Sequence, residues 1–295
     1  MVAPAGPAQR ESFEAGLTLL AQRYRVVQGL DPAAPHHLCL PYLAGEDAWR
    51  ADRLNAALND PQVEAIFCAR GGYGAMRILD RLDSEALVQR RVPIVGFSDC
   101  TALHLWAACH GVPTVHGPVV TQLARLHPGD LSGLFDLLEG GPLPRMSGLV
   151  RVAGGRARGA LLGGNLSLLT HMIGTPFLPR LTGCILLLEE VSEAPYRIDR
   201  MLTQLTLAGV LGSVAGVVVG RLERCDAPQG IPPRPVRALE VIEERLAGLG
   251  LPVVHGAPVG HGDRNVALPM GVMAELDADA GTLEISGQMF AAGNH

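Results

Sequence analysis

The feature that most constrains the fold of this chain is the alternation of short apolar stretches with helix-period stretches through its first half. Strand-like segments at 63–69 and 92–96 are each followed by a turn and then by a helical pattern, at 75–83 and 101–109. This alternation is typical of a parallel sheet whose strands are joined by helical crossovers. The first half is therefore predicted to form a parallel-sheet α/β structure.

The second half begins after residues 141–158, which are dense in glycine and proline and which we interpret as an inter-domain linker. Later strand and helix patterns lie at 183–188, 195–208, 213–219, 235–248, 252–255 and, as a hairpin, 272–286. A chain of 295 residues is long enough to form two domains, each with its own hydrophobic core. We predict an α/β protein with an N-terminal parallel-sheet, Rossmann-like domain at 1–140. The C-terminal α/β domain, at 159–295, is predicted to have a mixed, partly barrel-like sheet.

Composition and charge exclude several classes of partner. The formal net charge is −5 and no segment concentrates basic residues, whereas a nucleic-acid-binding surface needs a basic patch. Uninterrupted apolar runs are far too short to cross a bilayer, and the first residues lack the pattern of a secretory signal. The six cysteines include no C-x-x-C pair, which is typical of reduced and mostly buried thiols. We expect a cytoplasmic protein that binds neither nucleic acid nor membrane.

Ser98 lies between a predicted strand and a predicted helix, in the sequence Gly96-Phe-Ser-Asp-Cys100. A sharp turn at such a position lifts a serine hydroxyl off the edge of the sheet, as in a nucleophile elbow, and Gly96 leaves room for it. Hydrolase elbows have a glycine two residues after the serine, where this chain has Cys100. The alternative is that Ser98 or Asp99 only caps the helix that follows.

A glycine-rich turn, Arg70-Gly-Gly-Tyr-Gly74, follows a predicted strand and opens a predicted helix. Such turns expose main-chain N–H groups that suit either a phosphate or an oxyanion. The turn does not match G-x-G-x-x-G, because Arg77 stands at the last glycine position, and it has no Walker lysine. Nucleotide binding is therefore disfavoured, and a plain tight turn is the alternative.

Two carboxylates and one histidine complete the candidates for catalysis. Glu189 and Glu190 end an apolar stretch, and the carboxyl end of a buried strand is where α/β proteins place their sites. His261 lies between two glycines that leave its loop free to aim the imidazole. The alternatives are an exposed strand end and a loop histidine without a role. His255, six residues earlier, continues a strand and is expected to be packed.

The ten histidines raise the question of a metal site. His36 and His37 are adjacent and so point apart, while His104 and His110 are six residues apart, which is not a same-face helical spacing. The sequence contains no H-E-x-x-H. We predict no metal and no other cofactor.

Taken together, these motifs resemble the LD-carboxypeptidase family, which also includes the microcin C immunity hydrolases. The resemblance runs in family order over nearly the whole chain, and its last segment is the loop 259–263. The other segments are Tyr42–Asp47 with Asp60-Pro61, Arg70–Arg77, Gly96–His104, Gly163–Leu169 and Leu188–Met201. The sequence departs from the family in its N-terminal strand, which is short.

The resemblance implies a serine peptidase whose nucleophile is Ser98, whose base is His261 and whose acidic residue is Glu189. The nucleophile would then come from the N-terminal domain and the other two residues from the C-terminal domain. The implied substrate is a cytosolic muropeptide, cleaved between the L-centre of a diamino acid and a terminal D-alanine. A homodimer is a possible assembly.

The same resemblance suggests where the substrate is bound. The main-chain N–H of Asp99, with one from Gly71 or Gly72, is expected to form the oxyanion hole. Asn165 and Arg197 are candidates for binding or orienting the substrate.

Three alternatives remain open. The order Ser, Glu, His also fits an α/β-hydrolase, although the two-domain layout and Cys100 in place of the second elbow glycine favour the carboxypeptidase. A microcin-type hydrolase would use the same triad on a peptidyl-nucleotide, but the segment 193–200 favours the muropeptide branch. A non-catalytic two-domain protein could instead use the glycine turn to bind a small anion.

Overall fold

A computed structural model describes residues 1–27, 39–226, 235–287 and 289. The strands of these residues form two sheets. In chain order they are β1 (Ile66–Phe67), β2 (Ile94–Gly96), β3 (Thr114–His116), β4 (Arg145–Met146), β5 (Val150–Ala153), β6 (Arg156–Asn165), β7 (Ile185–Val191), β8 (Gly216–Glu223), β9 (Val253–His255), β10 (Leu268–Met270), β11 (Met273–Asp277) and β12 (Thr282–Ile285).

Helices cover the sheets and connect their parallel strands. The α-helices of the described residues are α1 (Arg10–Ala21), α2 (Asp47–Asn59), α3 (Ser84–Arg90), α4 (Thr101–Cys109), α5 (Val120–Leu123), α6 (Pro128–Leu138), α7 (Leu166–His171), α8 (Pro195–Leu207) and α9 (Ala238–Leu246). Short 3₁₀ helices lie at Ala75–Arg81, Ser98–Cys100 and Ala247–Leu249. Within the described ranges, no helix combines the length and the apolar character needed to cross a bilayer.

The first sheet has the order β1-β2-β3-β10. Strands β1, β2 and β3 are parallel, and β10 runs antiparallel to β3. Ile94 and Val95 are fully buried, as expected for a parallel strand covered on both faces. Val2 adds a single parallel bridge to Cys68, so the N-terminal segment contributes only the short strand end that its sequence indicates. The predicted parallel α/β character of the first half is confirmed.

The second sheet has eight strands in the order β4-β12-β11-β6-β7-β8-β9-β5. Its centre, from β6 to β9, is parallel, and antiparallel strands flank it on both sides. The predicted mixed sheet and the predicted β11–β12 hairpin are therefore confirmed. The order is open, with β4 and β5 at its edges, so the described strands do not close into a barrel.

Several local predictions differ from the structure. The helix expected at 75–83 is a 3₁₀ helix, and the strand expected at 63–69 shortens to the two residues of β1. The segment 141–158 contains β4, β5 and the start of β6, all of which belong to the second sheet. Conversely, β10 comes from the second half of the chain and pairs with the first sheet. The two halves therefore share strands, and the residues between them belong largely to the second sheet.

One apolar core joins the two halves. Leu103 and Trp106 of α4 lie in the same buried cluster as Leu166 and Leu169 of α7 and Leu202 of α8. Because α4 begins directly after the Ser98–Cys100 turn, this packing fixes the turn relative to the second half of the chain. The strand ends of both sheets can therefore be brought to one place.

Candidate active site

Ser98 occupies a strained turn at the end of β2. Phe97 is extended and Ser98 has φ +63°, one of four positive φ values at non-glycine residues in the described chain. A left-handed conformation costs an ordinary residue about 1–2 kcal/mol, so the surroundings must enforce it. Gly96 permits the turn, because a Cβ there would lie 2.9 Å from the Cys100 sulfur and 3.1 Å from the Cys68 Cβ. The geometry agrees with the predicted nucleophile elbow.

The three candidates for the catalytic triad lie in one hydrogen-bonded chain. The Oγ of Ser98 is 3.0 Å from Nε2 of His261, and Nδ1 of His261 is 2.8 Å from Oε2 of Glu189. Glu189 is fully buried, whereas the His261 side chain keeps 18% of its surface exposed. These distances are short enough for the imidazole to exchange a proton with the hydroxyl. The structure thus brings together residues that are up to 163 positions apart in sequence.

The neighbouring carboxylates of Glu189 and Glu190 have different partners. Glu190 accepts hydrogen bonds from Nδ2 of Asn165, from both N–H and hydroxyl of Ser167, and from the N–H of Val191. Burial raises the pKa of Glu190 despite these donors. Glu189 contacts His261 through Oε2, and its Oε1 has no hydrogen-bond partner within the described ranges. Only Glu189 can therefore act on the imidazole directly.

The glycine-rich turn packs directly against Ser98. A Cβ on Gly71 would lie 2.9 Å from the Cβ and 3.1 Å from the Oγ of Ser98. Gly72 and Gly74 have φ values of +105° and +129°, which favour glycine at both positions. Glycine is therefore needed at position 71 for the close approach to Ser98, and at positions 72 and 74 for the conformation of the turn.

Two buried charges hold this turn in place. The Asp99 carboxylate accepts a 2.7 Å hydrogen bond from the N–H of Ala75 and so joins the nucleophile turn to the glycine turn. Arg50 is fully buried and donates to the carbonyl oxygens of Gly74, at 2.9 Å, of Gly45, at 3.1 Å, and of Pro4. Arg50 also pairs with Asp47. It therefore ties three loops together beneath the site.

The two candidates for substrate binding are placed differently. Asn165 is only 3% exposed, and its side chain donates to Glu190 and accepts from the N–H of Leu168. Its amide is thus used inside the protein, and its role toward the substrate stays a prediction. More than half of the Arg197 side chain is exposed, and the guanidinium pairs with Glu193 at 3.3 Å. Arg197 is free to contact a molecule in solution.

Two further histidines lie behind the nucleophile. Nε2 of His104 is 2.8 Å from the carbonyl oxygen of Gly96, and burial lowers the pKa of His104 to about 4. His116 is fully buried, and burial, with the nearby His104 and His261, lowers its pKa well below the usual value. Both rings are therefore neutral packing groups near neutral pH. In the part of the chain that the structure describes, no three His, Cys, Asp or Glu side chains are arranged to hold a metal ion.

The functional residues that the sequence does not reveal are the polar side chains that support the site from below. Arg50 lies within a helix that looks like an ordinary polar surface helix in sequence. Gln122, Asp130 and Asn265 are buried around the loop that carries His261. No local motif marks them, because each bonds to segments far away in the chain.

Family models match both halves of the chain. The model of the LD-carboxypeptidase N-terminal domain matches residues 1–117, and the model of the C-terminal domain matches residues 158–276. The murein tetrapeptide carboxypeptidase of Pseudomonas aeruginosa is 34% identical over 95% of this chain and 92% of its own length. The chain belongs to the LD-carboxypeptidase family. It is therefore a serine-type carboxypeptidase, a hydrolase.

Solved structures agree with this assignment. The crystal structure of the muramoyltetrapeptide carboxypeptidase from Oxalobacter formigenes matches this chain with a TM-score of 0.84 and 28% identity, over 97% of both chains. The microcin C7 self-immunity protein MccF of Escherichia coli is 25% identical over 97% of this chain and 91% of its own. MccF without ligand superposes with a TM-score of 0.87, over 98% of this chain and 96% of that one. The muramoyltetrapeptide carboxypeptidase and the self-immunity protein therefore share this fold.

Proposed function

We propose that this LD-carboxypeptidase removes the terminal D-alanine from murein tetrapeptides in the cytoplasm, with Ser98, His261 and Glu189 as its catalytic triad. The observation that carries the proposal is the continuous hydrogen-bonded chain from Ser98 through His261 to Glu189. The substrate class is supported by the relative named as a murein tetrapeptide carboxypeptidase. The proposed division of labour gives the nucleophile to residues 1–140 and the other two members to residues 159–295.

The contacts of His261 define the proposed proton transfers. Glu189 accepts a hydrogen bond from Nδ1, which leaves Nε2 free to accept the hydroxyl proton of Ser98. Ser98 then attacks the scissile carbonyl, and His261 delivers the proton to the departing amino group of D-alanine. Glu189 fixes the tautomer and stabilises the imidazolium. A water molecule, activated by His261 in the same way, hydrolyses the acyl-enzyme and frees Ser98.

The N–H of Asp99, with one from Gly71 or Gly72, is proposed to bind the oxyanion of the tetrahedral intermediate. The support is positional, because Asp99 directly follows the nucleophile and Gly71 packs against its side chain. Donors fixed before the reaction do not have to reorganise during it, and losing one typically costs about 3 kcal/mol of barrier. Arg197 is a candidate for orienting the substrate from the exposed side, whereas Asn165 supports Glu190.

The experiment that tests the activity compares two synthetic tetrapeptides that differ only in the configuration of the last alanine. The D-form should lose its alanine at least about tenfold faster than the L-form. Inverting the terminal Cα exchanges its methyl group and carboxylate, and each buried polar group left unpaired costs about 1–3 kcal/mol. Mass spectrometry of the digests measures both rates. Equal rates would show a broad peptidase and would overturn the proposed specificity.

A microcin-type hydrolase is the second candidate, because MccF has the same fold and aligns with nearly the whole chain. Cleavage of a peptidyl-nucleotide analogue without cleavage of the tetrapeptide would favour this candidate. If neither compound is cleaved and a serine-reactive probe fails to label Ser98, the chain is a binding protein rather than an active hydrolase.

A further inference from the structure

The loop that carries His261 has no secondary structure of its own. Residues 256–267 connect β9 of the second sheet to β10 of the first sheet without a helix or strand. Glycines flank His261, and Gly260 has φ +119°, where a Cβ would lie 2.8 Å from Oε2 of Glu189. Such a loop needs contacts from outside to keep an imidazole in one orientation, because glycine restrains the chain least of all residues.

Three hydrogen bonds and the main chain from Gly260 to Gly262 together form a closed ring that includes His261. The N–H of Gly260 donates to Oδ1 of Asn265 at 3.0 Å, and Nδ2 of Asn265 donates to Oε1 of Gln122 at 3.0 Å. Nε2 of Gln122 then donates to the carbonyl oxygen of Gly262 at 3.4 Å. The ring thus fixes the residues on both sides of His261.

The ring is anchored in the first half of the protein. Asn265 is fully buried and Gln122, on α5, is 5% exposed. Asp130, on α6, accepts a 2.9 Å hydrogen bond from the N–H of Asn265 and two from Arg264. A buried amide that is satisfied on both sides holds its geometry strictly, since breaking either bond leaves an unpaired polar group.

We infer that Asn265 and Gln122 are positioning residues for the general base, holding His261 between Ser98 and Glu189. This inference rests on the proposed function, because it assigns His261 the role of base. Neither amide touches the reacting atoms, and both act through the main chain that flanks His261. The same two amides also make the geometry of the base depend on α5, an element of the first half.

The test compares Asn265→Ala and Gln122→Ala with Asp263→Ala as the matched control. Asp263 lies in the same loop and is 86% exposed at its side chain, so its removal should leave kcat near the wild-type value. Asn265→Ala should lower kcat by about 10- to 100-fold with little change in KM, since small misplacements of catalytic groups cost this much. Gln122→Ala should lower kcat less, by roughly 3- to 10-fold, because its bond to Gly262 is the longest of the ring. The double variant should resemble Asn265→Ala, because both substitutions break the same ring.

The comparison of kcat with KM separates positioning from general loosening of the structure. A misplaced His261 slows the proton transfer without weakening substrate binding, so kcat should fall while KM stays near the wild-type value. The variants leave in place the charged and titratable side chains around the loop, which are Glu189, His116, Asp130, Arg221, Glu223, Asp263 and Arg264. A lower melting temperature with an unchanged kcat would overturn the inference.

Two controls keep the outcomes distinct. If His261→Ala retains activity, the proposed base is wrong and the inference fails with it. If His261→Ala is inactive while folded Asn265→Ala and Gln122→Ala behave as wild type, the proposed function survives and only the positioning role is refuted. Should Asn265→Ala fail to fold, Gln122→Ala decides alone through its kcat and its KM.

Discussion

Ser98 is held by the secondary structure on both sides of it, whereas His261 is held by Asn265 of its own irregular loop and by Gln122 from the first half of the chain. The serine follows β2 and begins a 3₁₀ turn that runs into α4. The histidine lies in an irregular loop that Asn265 and Gln122 fix through three hydrogen bonds. The proposed nucleophile therefore depends on local strain and close packing, and the proposed base depends on polar contacts that reach across the chain. Substitutions should affect the two regions in different ways.

The largest effect is expected where the two regions meet. Ser98→Ala and His261→Ala should each lower kcat by about four to six orders of magnitude while the protein stays folded, because both disable the same proton transfer. The double variant should be hardly worse than either single variant. Steady-state kinetics with circular dichroism of each variant provides the test. Clearly unequal losses of kcat in the two single variants would mean that one of the two side chains contributes to catalysis without the other.

The two adjacent carboxylates should differ strongly. Glu189→Gln should lower kcat by about 10²- to 10⁴-fold, because a carboxamide cannot stabilise the imidazolium as a carboxylate does. Glu190→Gln should lower kcat less than tenfold but should cost about 1–3 kcal/mol of stability. The new glutamine amide would place its NH₂ donor against N–H and hydroxyl groups that now donate hydrogen bonds to the Glu190 carboxylate. Kinetics and denaturant unfolding measure the two effects. A larger loss of kcat in Glu190→Gln than in Glu189→Gln would show that Glu189 is the wrong choice for the triad.

Close packing around the nucleophile can be tested at the glycine turn. In Gly71→Ala the new methyl group would press on the Ser98 side chain, and we expect kcat to fall roughly 10- to 100-fold. Gly72→Ala is the matched control, because its Cβ would meet only Gly6, at 3.4 Å or more, while its φ of +105° is strained for alanine. That variant should lose about 1 kcal/mol of stability with a smaller change in kcat. A reversed ranking in kcat would show that the packing against Ser98 is not critical.

The smallest expected effect concerns the pH dependence of stability at Asp99. Burial raises the pKa of Asp99 above its usual 3.8, against the hydrogen bond from Ala75 and the charge of Arg50. The folded protein therefore binds this proton more tightly than the unfolded chain does. The corresponding stability is present below pH 3.8 and is lost as the pH rises through the folded pKa. Asp99→Asn does not titrate, so its stability relative to wild type should improve across that window in denaturant titrations. A difference in unfolding free energy between Asp99→Asn and wild type that does not change with pH would contradict the raised pKa of Asp99.

The same contrast explains what the sequence could predict. Ser98, Glu189 and His261 are candidates from the sequence because a strand end or a glycine loop marks each of them locally, and the family resemblance assigns them to a triad. Asn265 and Gln122 are not such candidates, because their partners lie up to 143 positions away and no spacing rule connects them. Buried Arg50 was missed for a similar reason, since its role depends on three carbonyl groups from separate loops.

The fold shows a similar limit at β6. This strand begins inside the segment that was interpreted as a linker, and its glycines obscured the strand pattern. Gly163 and Gly164 have φ values of +112° and +135°. A Cβ on Gly163 would overlap the carbonyl oxygen of Leu187, and one on Gly164 would lie 2.6 Å from the hydroxyl of Thr101. Glycine is therefore needed at these two positions for close packing between elements. An interpretation based on strand propensity instead takes such glycines as the end of a strand.

The pairing of β10 with β3 has a consequence for the order in which the protein is made on the ribosome. Residue 116, the end of β3, emerges long before residue 268, where β10 begins. At usual rates of synthesis this interval lasts roughly 10–30 s. The nascent first half therefore carries an open strand edge for that time, which invites pairing with other chains. The loop with His261 directly precedes β10, so the proposed base and the closing strand of the first sheet are synthesised together.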